Sequence, residues 1–259
     1  MPNHITNILS IIDLGGVRLS DVHAALLNEE RQVDFSVIAP SPKCLDGFNP
    51  HFGVLSRAKM ALGILEEPAL SLDKINSRIA NLALSDAIKN ATSPIKGEDI
   101  EAVIRAISNH QDCGHIYWYD WNIDNWGTKW NAYGQPKGGF STKATSFKFQ
   151  TAWSHPEKMI KAISEKLPDV AFALEYADED IGSNCGTYAI KNGQRSNEHI
   201  APKLNDQTAD QKKQFSKLAF GICYDDEDPA SHGYDENWEY SDEAYVTFHR
   251  VSDGNASPA

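Results

Sequence analysis

The feature that most constrains this chain lies between residues 145 and 224, where the hydrophobic period switches between about two and about 3.6 in short, punctuated runs. In TSFKFQTAW, Phe147 and Phe149 alternate with polar neighbours, as a half-buried strand requires. Ser154-His155-Pro156-Glu157 then has the form of a capping box, and Met159, Ile160, Ile163 and Leu167 recur on one helical face. Residues 170–176 and 187–190 read as two strands joined by the polar turn ADEDIGSNCG. A helix from about Thr208 to Leu218 and a last apolar run, residues 219–224, complete the order β-α-β-β-α-β. That order is the split βαβ, or ferredoxin-like, plan. It predicts an antiparallel four-stranded sheet over residues 145–224 with two helices on one face.

The first half reads differently. Residues 4–12 form a strand, Gly15-Gly16 a turn, and residues 19–29 a helix with Ser20 or Asp21 as its cap. Val33, Phe35 and Val37 alternate with polar residues, so the chain is expected to open with a βαβ unit. The prolines of APSPKCLDGFNP then stop the strand pattern. A helical section follows, with helices at residues 52–65, at Leu72, Ile75, Ile79 and Leu82, and at Ile100, Val103, Ile104 and Ile107. The glycine-rich loop GQPKGGFSTK is the best internal boundary. Three parts result: an N-terminal α+β region (1–140) with a helical insertion and an aromatic segment, a ferredoxin-like domain (141–224), and an acidic stretch (225–259). The fold class is α+β.

Charge is unevenly placed. Of 36 acidic residues, nine fall between Lys217 and Arg250, where there is no Lys or Arg; the remainder, 27 acidic against 24 basic, is nearly balanced. Such a stretch repels phosphate, so direct nucleic-acid binding is disfavoured there. Apolar runs are far shorter than the roughly 20 residues that span a bilayer, and the N-terminus lacks the pattern of a secretory signal. A soluble, cytoplasmic protein without membrane association is expected. Cys44, Cys113, Cys185 and Cys223 are scattered without a C-x-x-C pair, which predicts reduced thiols and no disulfide.

Four of the six tryptophans fall between Trp118 and Trp130. Within this segment Trp121, Asn125, Trp126, Lys129 and Trp130 are candidates for a recognition surface, because Trp anchors interfaces. The competing reading is architectural: Gly127 suits a left-handed turn around which Trp126 and Trp130 are buried. His110, Asp112, Cys113 and His115 are dense but lack the second ligand pair a zinc site needs, so no metal is expected; Gly114 instead suits a helix stop. Asp178, Asp180 and Gly182 resemble a calcium loop only until the twelfth position, which is Ala189, and are read as a polar hairpin. Phosphate-loop, dinucleotide, zinc-protease and nucleophile-elbow motifs are absent from the sequence. No cofactor is expected.

Asn3-His4, the run NWGTKW (residues 125–130), the pattern Phe147-x-Phe149-x-Thr151-Ala152-Trp153 and Tyr176 together resemble the YubB-like proteins of bacterial plasmids and phages over roughly residues 1–195. The resemblance implies a ferredoxin-like domain and a mobile-element origin, and it supplies no active-site residues. The functional expectation is therefore a non-enzymatic module that binds a host protein with a basic surface. Asp225, Asp226, Asp228, Glu236 and Glu239 are the candidate acidic contacts. The alternative is an enzyme or a nucleotide- or RNA-binding protein using a cleft beside the sheet, with His110, His115 and Asp120 as candidates.

Overall fold

The computed structural model describes residues 3–65, 97–225 and 227–252. The chain divides into two compact units, residues 1–40 with 125–259, and residues 41–124. In chain order the elements are β1 (His4–Asp13), α1 (Leu19–Leu26), α2 (Phe35–Ile38), α3 (Phe52–Leu65), α4 (Gly97–Cys113), α5 (Trp118–Asn125), β2 (Ser146–Ala152), α6 (Glu157–Lys166), β3 (Ala171–Asp178), β4 (Gly186–Lys191), β5 (Gln194–Ile200), α7 (Ala209–Tyr224) and α8 (Asp242–Ser252). The helix expected around Leu72 to Leu82 lies outside the described residues.

The first unit holds an antiparallel five-stranded sheet of order β2-β1-β3-β4-β5. A split βαβ is present, as β2, α6 and β3, but the strand filling the split is β1, from the opposite end of the sequence. Residues 145–224 therefore do not close a sheet by themselves, and a boundary near residue 140 does not separate two cores. Alternation identifies a strand's faces but says nothing about its neighbours.

Register builds one apolar face. Asn7 lies opposite Phe149 and Tyr176, and Leu9 opposite Phe147 and Leu174. Helices α1, α2 and α6 cover this face: His23 meets Phe147 edge-on at 5.6 Å, Phe35 meets Phe149 at 6.1 Å, and Met159, Ile160 and Ile163 are buried. The other face carries Ala177 and Cys185, packed against Phe215, Ala219 and Ile222 of α7. The two helices that follow residue 145 thus sit on opposite faces, not on one.

Four further local expectations are not met. Around Val33, Phe35 and Val37, only Val33 pairs, with Leu27, and Phe35–Ile38 turns into a short helix. There Asp34 accepts from the Ser36 N–H at 2.8 Å, and the distant Asn131 accepts from Phe35 N–H while donating to Asp34. Residues 219–224 continue α7 instead of forming a strand, because a short apolar run suits a buried helix equally well. At the start of α6 there is no side-chain cap; Ser154 Oγ donates instead to the Gly127 carbonyl at 2.6 Å. The reciprocal capping box belongs to α7, between Thr208 and Gln211. Helix α1 likewise starts after Arg18, whose guanidinium pairs with Asp21 at 2.9 Å.

Residues 41–124 have their own small core of Phe48, Ala58, Leu62, Ala106 and Ile116, against which Val103 and Ile107 pack. Ile100 and Ile104, on the same expected stripe of α4, are exposed. Gly114, at φ +78°, ends α4 as its sequence suggests, donating its N–H to the His110 carbonyl.

Candidate functional site

The NWGTKW run splits into an inner and an outer half. Gly127 adopts φ +78°, the left-handed turn expected of it. Behind the turn, Trp126 is buried, stands edge-on to Phe35 at 5.9 Å and donates its indole N–H to the Ala39 carbonyl. Thr128 is also buried; its hydroxyl donates to the Ala152 carbonyl at 2.9 Å and accepts from Ala152 N–H, fixing the turn to the end of β2. Beyond it the segment faces outward. Trp130 is 38% exposed, and the Lys129 ammonium lies 4.8 Å from its ring centroid and 4.5 Å from that of Trp153, which is 45% exposed. Sequence reading did not single out Trp153 as a surface residue. Its backbone at φ +71°, a region bulky side chains seldom occupy, turns it out of the β2 alternation. Trp121 is buried in α5, and Asn125 closes that helix.

A half-buried histidine next to this surface, with a buried ring nitrogen, also escaped the sequence. His155 stacks on Tyr176 at 3.9 Å, and its Nε2 has no hydrogen-bond partner among the described residues. Burial, helped by the Arg195 charge, pushes the His155 pKa down to about 4. Arg195 stacks its guanidinium 4.2 Å over Tyr188 and pairs with Glu157 at 2.7 Å.

The acidic stretch is folded onto the sheet-bearing unit by its aromatic residues. Phe220 of α7 is met by Tyr224 at 4.9 Å, His232 at 5.3 Å, Trp238 at 5.4 Å and Tyr234 at 5.8 Å. Its carboxylates point the other way: Asp225, Asp228, Glu236, Glu239 and Glu243 are all exposed. Several are engaged locally. Asp225 pairs with Lys148 at 2.8 Å, a cation invisible in the local sequence, and Glu227 pairs with His232 at 2.7 Å. Asp228 caps the turn Pro229–His232 by accepting from Ala230 N–H. Asp226 lies outside the described residues.

Three residues proposed for the enzyme alternative are brought together. His110, His115 and Asp120 line one open depression of about 380 Å³ within residues 41–124, along with Tyr119 and Asp124, which the sequence did not flag. This places them in the helical unit. His115 Nε2 lies 3.1 Å from Asp124 and its Nδ1 3.0 Å from the Cys113 carbonyl, so only a doubly protonated ring donates to both. Among the described residues no three His, Cys, Asp or Glu side chains converge as a metal site. No helix among them is long and apolar enough to cross a membrane.

Comparison with known proteins bears on the sheet-bearing unit. Residues 125–219 match the family described as a ferredoxin-like domain in Api92-like protein. The matched stretch runs from the end of α5 into α7 and contains the split βαβ but not β1, its central strand. No curated protein and no solved structure matches the chain.

Proposed function

We propose that this chain is a non-enzymatic protein-binding module of a plasmid or phage, acting in the cytoplasm by presenting its acidic C-terminal face to a basic groove of a host protein. The observation that supports this reading is the sidedness of residues 225–243. The aromatic side chains around Phe220 fasten the segment, while Glu236, Glu239 and Glu243 stay exposed. A fastened, acidic face presents charge with less ordering cost than a loose tail, and steers a cationic partner at a distance. The mobile-element origin rests on the resemblance to YubB-like proteins.

The test is a charge-neutral, shape-preserving variant, Glu236→Gln with Glu239→Gln and Glu243→Gln, which spares Asp225, Asp228 and Asp235. It is expected to melt as the wild type does. Immobilised wild type is expected to retain a basic protein from host lysate that elutes with rising salt, and the variant to lose it. Equal retention of the same protein by both overturns the reading.

A second reading draws on the depression lined by His110, His115, Tyr119, Asp120 and Asp124. Convergent polar groups in a concave site favour an enzyme or a nucleotide- or RNA-binding protein. A nucleotide that raises the melting temperature of wild type, and not of His115→Ala, supports it; no shift with any of the common nucleotides removes nucleotide binding from consideration.

A further inference from the structure

We propose that Cys44 and Cys113 form an oxidation site, in which a peroxide converts the two thiols into a disulfide. The residues are 69 positions apart, yet their Sγ atoms lie 3.6 Å from each other, within residues 41–124. Both are partly exposed, so a small oxidant can reach them. The sequence, showing four scattered cysteines, predicts no such pair.

The surroundings already hold the two sulfurs together. Cys44 lies in the turn Lys43–Leu45, and Arg105 of α4 fastens that turn by donating from Nη2 to the Cys44 carbonyl at 3.3 Å and the Asp46 carbonyl at 2.9 Å. The same guanidinium stacks 4.7 Å over Phe48. Cys113 ends α4, two turns beyond Arg105 on the same helix. A disulfide requires S–S near 2.05 Å, so closure asks for a sulfur displacement of roughly 1.5 Å, within reach of side-chain rotation.

The hydrogen bonding assigns roles. Cys44 donates its S–H toward Cys113 Sγ, and Cys113 donates its own toward the Asn109 carbonyl at 3.2 Å, so Cys113 is the accepting sulfur of the pair. Burial, the hydrogen bond to Cys113 and the charge of Asp112 all push the Cys44 thiol up, so it keeps its proton. In the step we infer, the Cys113 thiolate attacks one oxygen of hydrogen peroxide, the O–O bond breaks, and hydroxide leaves to become water. The resulting Cys113 sulfenic acid is attacked by the Cys44 sulfur; the S–S bond forms, the S–O bond breaks, and a second water leaves with the Cys44 proton. Two thiols lose two electrons in all, and one peroxide becomes two waters. Cys185 and Cys223 supply the internal contrast, because burial raises them to about 12 and about 11, which suppresses their thiolates.

The test uses the full chain, treated with hydrogen peroxide, alkylated without reduction, digested and mapped by mass spectrometry. The expected product is a cross-linked peptide pair joining Cys44 to Cys113, with alkylatable thiols falling from four to half that number. Cys44→Ser and Cys113→Ser should each abolish the pair, while Cys185→Ser and Cys223→Ser leave it in place. The wild-type map decides the matter even if a variant fails to fold. Four alkylated cysteines, a Cys185 to Cys223 link as the main product, or oxygen addition to Cys113 without a link each overturns the proposal.

Discussion

The indole Nε1 of Trp126 donates to the carbonyl of Ala39 at 3.0 Å, joining positions 87 residues apart in sequence. These two residues flank residues 41–124, which leave the sheet-bearing unit after position 40 and return at position 125. The bond thus fastens the neck at which the helical unit is inserted, and the aromatic contact with Phe35 reinforces it.

Trp126 and Trp130, four residues apart, should consequently behave differently. Trp126→Ala removes a buried ring and leaves the Ala39 carbonyl without its donor, at a cost of about 3 to 5 kcal/mol. Trp130→Ala removes a ring that is 38% exposed and should cost about 1 kcal/mol or less, including its share of the cation–π contact with Lys129. Urea unfolding of both variants measures this. Equal losses would contradict the division of the segment into inner and outer halves.

Acid sensitivity should trace to His155. Its folded pKa of about 4 lies below the ordinary value of 6.5, so between these values the unfolded chain takes up a proton that the folded chain refuses. The folded state carries no such penalty above pH 6.5, loses stability as pH falls toward 4, and loses no more below that. At pH 5 the loss from this residue is on the order of 2 kcal/mol. His155→Phe, which keeps the stack on Tyr176, should flatten the pH dependence of unfolding over that window. An unaltered slope would show that other groups set it.

Asp178 should be a structural carboxylate. It is buried; Oδ1 accepts from Asn3 Nδ2 and from the Asp180 N–H, and Oδ2 accepts from Asn184 Nδ2. Asp178→Ala leaves these donors unmatched and should cost about 1 to 3 kcal/mol. Added calcium should not shift the melting temperature of the wild type, since the carboxylate is already engaged; a shift that Asp178→Ala removes would restore the calcium-loop reading.

Phe220 should control the C-terminal segment. Phe220→Ala removes the ring that His232, Tyr234 and Trp238 pack against. Limited proteolysis should then cut within residues 227–252 faster than in the wild type. Unchanged cleavage would mean that other contacts fasten the segment.

Several of these features were legible in advance because their causes are local. Alternation at Phe147 and Phe149 marks β2, and the left-handed needs of Gly114 and Gly127 mark a helix end and a turn. The edge strand β5, QRSNEHI, was not legible: nearly all of it is exposed, so it has no apolar alternation to read. The pairing of Lys148 with Asp225, the approach of Cys44 to Cys113 and the gathering of His110, His115 and Asp120 were equally hidden.

The sequence by itself determined the α+β class, most strands and helices, and the concentration of net negative charge in the C-terminal stretch, because these follow from periodicity, turn chemistry and composition within a few residues. Tertiary structure alone decided that β1 fills the split between β2 and β3, that α7 covers the face opposite α6, and that Trp126 is buried while Trp130 is not. Those outcomes depend on which surfaces meet between parts of the chain that are far apart in sequence. A strand's alternation carries two faces and two free edges but no address for its partner.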